Sequence, residues 1–234
     1  MRRAILGALL LVLGLGALPA HAGSTFGSVS GVDGVLYDDC LPHPYAYSIG
    51  TVPADAKTWD LRVTLLGPDG LDAGGDFVAT PVSTGTRAFV LCPPANAYGT
   101  YTIRARFEWG TGDVADQSAP LDDAHFTLRK PGSRTSLAVS TRRPAYGQVV
   151  RYRVGAFDEQ PTGYLRRAFA WVHLEKRVDG RWVRMRGGRA MTHETGEVVI
   201  RLRYRAHHRT LRVRAVTETA PRFTGSTSPV LRLW

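Results

Sequence analysis

Tyr101-Thr102-Ile103-Arg104-Ala105-Arg106-Phe107-Glu108-Trp109 decides the fold class. Its odd positions are apolar or aromatic and its even positions are Thr, Arg, Arg and Glu, so a period of two separates a dry face from a wet one. The same beat runs through Trp59, Leu61, Val63 and Leu65 against Asp60, Arg62 and Thr64. It returns in Val150, Tyr152 and Val154 against Arg151 and Arg153, and in Val198, Ile200, Leu202 and Tyr204 against Val199, Arg201, Arg203 and Arg205. Leu211, Val213 and Ala215 alternate with Arg212 and Arg214. Pro68-Asp69-Gly70, Asp179-Gly180 and Gly187-Gly188 are expected to separate these runs as turns. Short strands punctuated in this way over about 100 residues favour an all-β sandwich over an open sheet.

The two ends and the charge balance set the organisation. Met1-Arg2-Arg3, the apolar run Ala4 to Leu18, and the small residues around His21 in Ala20-His21-Ala22 read as a cleavable signal peptide over residues 1–22. No second apolar span follows, so the mature chain is expected to lack a membrane span. It is expected to be secreted and extracellular, free or held non-covalently on a bacterial cell envelope. From Gly23 to Leu128 five basic residues face thirteen acidic ones, whereas from Arg129 onward twenty-three basic residues face seven acidic. The sign changes at Arg129-Lys130-Pro131-Gly132-Ser133-Arg134, where Pro-Gly interrupts two strand patterns. The expected organisation is an acidic sandwich over 23–129, a linker over 130–134 and a basic sandwich over 135–234.

Ala145-Tyr146-Gly147-Gln148-Val149-Val150, Val172-His173-Leu174-Glu175-Lys176-Arg177, Gly180-Arg181-Trp182, Thr195-Gly196-Glu197, Arg212-Val213-Arg214-Ala215 and Gly225-Ser226-Thr227-Ser228 punctuate the second half. Together they resemble the landmarks of bacterial immunoglobulin-like domains in secreted proteins. The resemblance implies two tandem immunoglobulin-like β-sandwich domains, used as spacers, adhesion modules or carbohydrate and envelope contacts without active sites. Thr102-Ile103-Arg104-Ala105-Arg106 echoes Thr210-Leu211-Arg212-Val213-Arg214, as expected if both halves share one architecture. Cys40 and Cys92, the only two cysteines, are expected to form a disulfide in an exported chain. Cys92 precedes the Tyr101 strand, so the bridge need not pin one sheet to the other.

Patterns that could carry catalysis fall short. Gly27-Ser28-Val29-Ser30-Gly31 has valine where a hydrolase elbow needs its nucleophile, and reads as a flexible segment. His43, His125, His173, His193, His207 and His208 show no metal-ligand spacing. Asp69, Asp72 and Asp76 could wrap calcium, but read more simply as turn formers in a glycine-rich stretch. Asp38-Asp39 and Asp122-Asp123 are adjacent in sequence, which does not make an acid and base pair. No enzyme activity, cofactor or metal is expected.

The arginine alternation is the remaining signal. An immunoglobulin-like order would bring Arg151 and Arg153 beside Arg201, Arg203 and Arg205 on one outer face, with no acid in those strands to offset them. Three readings follow. Coding bias fills exposed positions with arginine, the chain having only three lysines; or the acidic half packs on the basic half; or the face binds a polyanion such as an anionic polysaccharide, a teichoic acid or extracellular DNA. The functional expectation is a non-catalytic binding or adhesion module using these five arginines. The alternative is a structural spacer with interdomain or protein partners and no polyanion ligand.

Overall fold

The computed structural model describes residues 24–79, 82–113, 116–206 and 210–234. The expected signal segment and the His207-His208 pair lie outside the described residues. The first half runs through β1 (Gly27–Gly31), β2 (Gly34–Val35), β3 (Leu41–Ile49), β4 (Thr58–Leu66), β5 (Asp72–Ala79), β6 (Thr84–Leu91), β7 (Gly99–Gly110), β8 (Gln117–Pro120) and β9 (Ala124–Arg129). The second half runs through β10 (Ser133–Val139), β11 (Val149–Gln160), β12 (Gly163–Arg166), β13 (Trp171–Val178), β14 (Arg181–Met191), β15 (Glu197–Arg203), β16 (Leu211–Thr217), β17 (Ser226–Thr227) and β18 (Leu231–Leu233).

Both halves solve the burial problem in the same way. One sheet has the order β1-β3-β6 and its counterpart β10-β11-β15; the other has β5-β4-β7-β9 and its counterpart β14-β13-β16-β18. Counting the seven principal strands of each half, the first, second and fifth share one sheet and the rest share the other, an immunoglobulin-like order. The sequence echo falls on equivalent strands, Thr102–Arg106 within β7 and Leu211–Arg214 opening β16. The inward residues are those the alternation marks: Leu61, Val63, Leu65, Tyr101, Ile103 and Phe107 in the first core, and Val150, Tyr152, Val154, Val213 and Ala215 in the second. Each large apolar side chain buried in this way contributes about 1.5–3 kcal/mol relative to exposure. Tyr101, fully buried at the start of β7, donates its hydroxyl to the Ala97 carbonyl at 2.6 Å, which fixes the turn entering the strand.

Cys40 and Cys92 form a disulfide one residue beyond the β3–β6 ladder, whose last pair is Leu41 with Leu91. The bridge therefore ties neighbouring strands of one sheet and leaves the two sheets to be held by their core. Gly27–Gly31 is not a flexible segment. Val29 is buried between its two serines, the run pairs with β3, and a Cβ on Gly31 would collide with the Phe126 ring. Gly187-Gly188 does not end a strand either. It lies inside β14, where the register with β13 jumps from Arg184 opposite Glu175 to Arg189 opposite His173, a bulge that Gly187 accommodates at φ 69°. The expected linker is shorter in the structure, because Ser133 and Arg134 already belong to β10. Pro131 within it is buried, its carbonyl accepting the Thr224 amide at 3.1 Å.

Where the halves meet, Arg129 grips Glu159 with two charge-assisted bonds of 2.7 and 2.8 Å, and Glu159 also accepts the Gly132 amide. Asp38 faces Arg222 at 3.5 Å, and Tyr98 donates to the Arg222 carbonyl at 3.3 Å.

The outer face of the β13–β14–β16 sheet carries an electrostatic network around two acids, Glu218 and Glu175. Glu218 accepts Arg189 at 2.9 and 3.0 Å and lies 3.1 Å from His173 Nδ1; Glu175 accepts Arg214 at 2.7 Å. Arg189 stacks over Trp171 and Arg214 over Trp182, at 4.0 and 4.3 Å. Arg212, two residues along the same face from the Arg214 that stands opposite Glu175, stands opposite Arg232 of β18.

Two outcomes test this account. Tyr101→Phe should lower the unfolding free energy by about 0.5–1.5 kcal/mol in urea denaturation, since the buried ring stays and the hydrogen bond to Ala97 is lost; an unchanged midpoint would mean that the hydroxyl does not hold the turn. Hydrogen bonding from Arg189 holds the Glu218 carboxyl down at about 2, below its usual 4.5. A depressed folded pKa contributes stability that is present above the ordinary value and lost as pH falls toward the folded one. The melting temperature of the wild-type chain should therefore fall more steeply between about pH 4.5 and 2 than that of Glu218→Gln. Parallel curves would contradict the network.

Candidate anion-binding face

Arg151 and Arg153 leave β11 on the side opposite its buried Val150, Tyr152 and Val154, and Arg201 and Arg203 leave β15 opposite Val198 and Ile200. β-branched and aromatic residues fill the inward positions because they suit a half-buried pleat. The antiparallel register sets Arg151 directly across from Arg201, Arg153 across from Val199, and Arg203 across from Val149. Arg205 continues the exposed series just beyond β15. The structure thus brings the five arginines together.

They border two adjoining clefts. The first, about 610 Å³, lies across β10, β11 and β15 and is edged by Arg151, Arg153 and Arg201 over Ala138, Ser140 and Val199. The second, about 580 Å³, opens in the seam between β15 and β14 and is edged by Arg201, Arg203, Arg205, Lys176 and Arg186. Arg201 belongs to both. Among the described residues seven cationic side chains line the two clefts and no acidic one does. Arg203 donates to the Gly147 carbonyl at 3.3 Å, which holds its guanidinium at the rim.

Lys176 and Arg186 were not among the sequence-derived candidates. They sit on the other sheet, and Arg186 stands within the β14 bulge, where alternation no longer predicts direction. Their proximity to Arg203 depends on sheet closure, which leaves no local signal.

The acids of β11 and β15 are engaged elsewhere. Glu197, at the head of β15, pairs with Arg166 at 2.6 Å. Asp158 and Glu159, at the far end of β11, face Arg167 and Arg129. Eight residues of extended strand separate Arg151 from Glu159, a span of about 27 Å. That exceeds the screening length of about 8 Å at physiological salt. The acidic first half, joined at that far end, makes no ion pair with the five arginines among the described residues and leaves their field in place.

Burial pushes the Tyr152 hydroxyl, at the second cleft, up to about 12, whereas the carboxylates whose titration shifts stand apart from both clefts. Burial pushes the Asp158 carboxyl up to about 6 against the opposing effect of Arg167, and burial with the neighbouring Glu108 raises Asp60 on the first sandwich. Asp76 borders a separate groove, where two bonds from Arg87 and one from Tyr45 occupy its carboxylate and hold its pKa down. Asp69 and Asp72 accept the amides of Leu71 and Gly74 in their own turns. A cleft edged by guanidiniums over Ala, Ser and Val offers hydrogen-bond donors and positive charge, which suit retention of anions.

No protein-family model matches the chain, and no curated protein matches it in sequence. Among solved structures, it is similar to a tetra-tandem repeat in the extending region of a large adhesion protein, at 12% identity and TM-score 0.33, covering 88% of this chain and 48% of that one. The adhesin InvE of Yersinia pseudotuberculosis aligns at 12% identity and TM-score 0.34, covering 90% and 60%. A β-glycosidase from Bacteroides vulgatus aligns at 10% identity and TM-score 0.30, covering 90% and 25%. The chain spans at most 60% of the length of these three proteins.

Proposed function

We propose that this protein is a secreted, non-catalytic binding or adhesion module that retains an anionic envelope or extracellular polymer on Arg151, Arg153, Arg201, Arg203 and Arg205. One observation carries the reading: among the described residues seven cations and no acid line the two clefts, whereas the opposite sheet of the same sandwich ion-pairs and stacks Arg189 and Arg214. Setting Arg151 against Arg201 costs a few tenths of a kcal/mol, and a bound polyanion would offset that cost. The disulfide supports an oxidising, extracellular setting. The Arg129–Glu159 junction favours the spacer reading as a second possibility, since it stiffens the connection between the halves whether or not a polymer binds.

A salt titration of polyanion binding by the full chain separates the two. Binding should weaken linearly in log–log form, and Arg151→Gln with Arg201→Gln should reduce the slope by about 1.4 for a flexible chain, at roughly 0.7 per phosphate contact. The same pair of substitutions should leave the melting temperature unchanged or slightly higher, because it removes a like-charge pair. Absence of binding at low salt would overturn the proposal in favour of the spacer.

A further inference from the structure

We infer that the polymer is a flexible polyol phosphodiester chain that bends over the free edge of β15 at Arg201, and that Lys176 and Arg186 bind its continuation. This rests on the arginine-face reading above and extends it to the chemistry of the ligand and to a second sheet.

The path comes from the two clefts. One lies on the outer surface of the β10–β11–β15 sheet; the other enters the seam toward β14, and they share Arg201. Among the described residues β15 forms a strand ladder with β11 alone, which leaves the stretch around Arg201 without a ladder partner on its other edge, where a chain can cross. A ligand touching Arg153 and Arg186 together must therefore turn over the width of a strand. Duplex DNA, with a persistence length of about 50 nm, does not bend on that scale.

The chemistry comes from the lining. Arg201 and Arg203 project from the same side of β15, about 6.8 Å apart, a spacing that suits an extended chain with one phosphodiester per repeat, and Arg205 follows at the end of the strand. Guanidinium groups present paired donors to the two free oxygens of such a phosphate. The aromatic rings at the second cleft, Tyr152 and Tyr204, are 1% and 5% exposed. They offer no platform on which nucleic-acid bases could stack, and the exposed Tyr146 lines neither cleft. Met185, Leu202 and Leu211 floor the seam with aliphatic surface, suited to the methylene and methine groups of a polyol linker.

The test measures binding of the full chain to a poly(glycerol phosphate), single-stranded DNA and duplex DNA, matched in charge number, by fluorescence anisotropy across a salt series. Poly(glycerol phosphate) should bind about tenfold more tightly than either nucleic acid at equal salt. Lys176→Gln with Arg186→Gln should weaken its binding about tenfold and lower the salt slope by about 1.4, two contacts' worth for a flexible chain. The exposed Arg177, outside both clefts, supplies the control: Arg177→Gln should bind as wild type. Melting curves establish that each variant is folded. Equal or tighter binding of single-stranded DNA, or wild-type binding by the Lys176 and Arg186 variant, would overturn this inference. If Arg151→Gln with Arg201→Gln still weakened binding and lowered the salt slope in that case, the face reading would stand alone. No binding of any polymer at low salt would remove both.

Discussion

A pleated strand that buries Val150, Tyr152 and Val154 has to turn Arg151 and Arg153 to solvent, and a partner that buries Val198 and Ile200 has to turn Arg201 and Arg203 the same way. The register follows from the same constraint. Slipping β15 by one residue against the core would bury guanidiniums and expose the apolar set, a far larger cost than like-charge repulsion at the surface. The pairing of Arg151 with Arg201 is thus imposed by the core. It is the core's free energy that holds the positive charges in place.

The second sandwich meets this constraint in two ways on its two sheets. On β13, β14 and β16, Glu175 and Glu218 sit among arginines, and Trp171 and Trp182 cover guanidinium faces. On β11 and β15 the corresponding acids are missing from the middle of the face, and those at the strand ends are held by other cations. A coding bias toward arginine would place cations on both sheets, as at Arg212 opposite Arg232, and does not account for where the acids fall. Packing by the acidic half does not account for it either, since the described contacts between the halves gather around Glu159 and Arg222, at the far end of β11.

Much of this was legible in the chain because the period-two rule is local. Tyr101 to Trp109 announces a strand without knowledge of its partners, and the β11 and β15 arginines announce their shared side as soon as an immunoglobulin-like order is assumed. Three features escaped for reasons that are not local. Gly27–Gly31 looked loose because serine and glycine dominate it, yet one buried valine and the proximity of Phe126 hold it to the sheet. Gly187-Gly188 looked like a turn because glycine permits both a turn and a bulge, and only pairing with β13 decides between them. Lys176 and Arg186 join the site through the approach of one sheet to the other, information that no single strand contains.

The β14 bulge is also where fold and site become the same problem. A regular β14 would continue the alternation begun at Arg181, with every residue committed to the core or to the ion-paired outer face. The extra residues between Arg184 and Arg189 break that commitment. Gly187, at φ 69°, turns the chain so close to β15 that a Cβ there would lie 3.5 Å from the Leu202 side chain. Arg186 and Met185 are carried with it to the seam, beside Arg203 and Arg205. An alanine at 187 would introduce strain in the left-handed region and favour flattening of the bulge. The same glycine that looks like punctuation in the sequence therefore lets the second sheet supply cations to a cleft begun on the first.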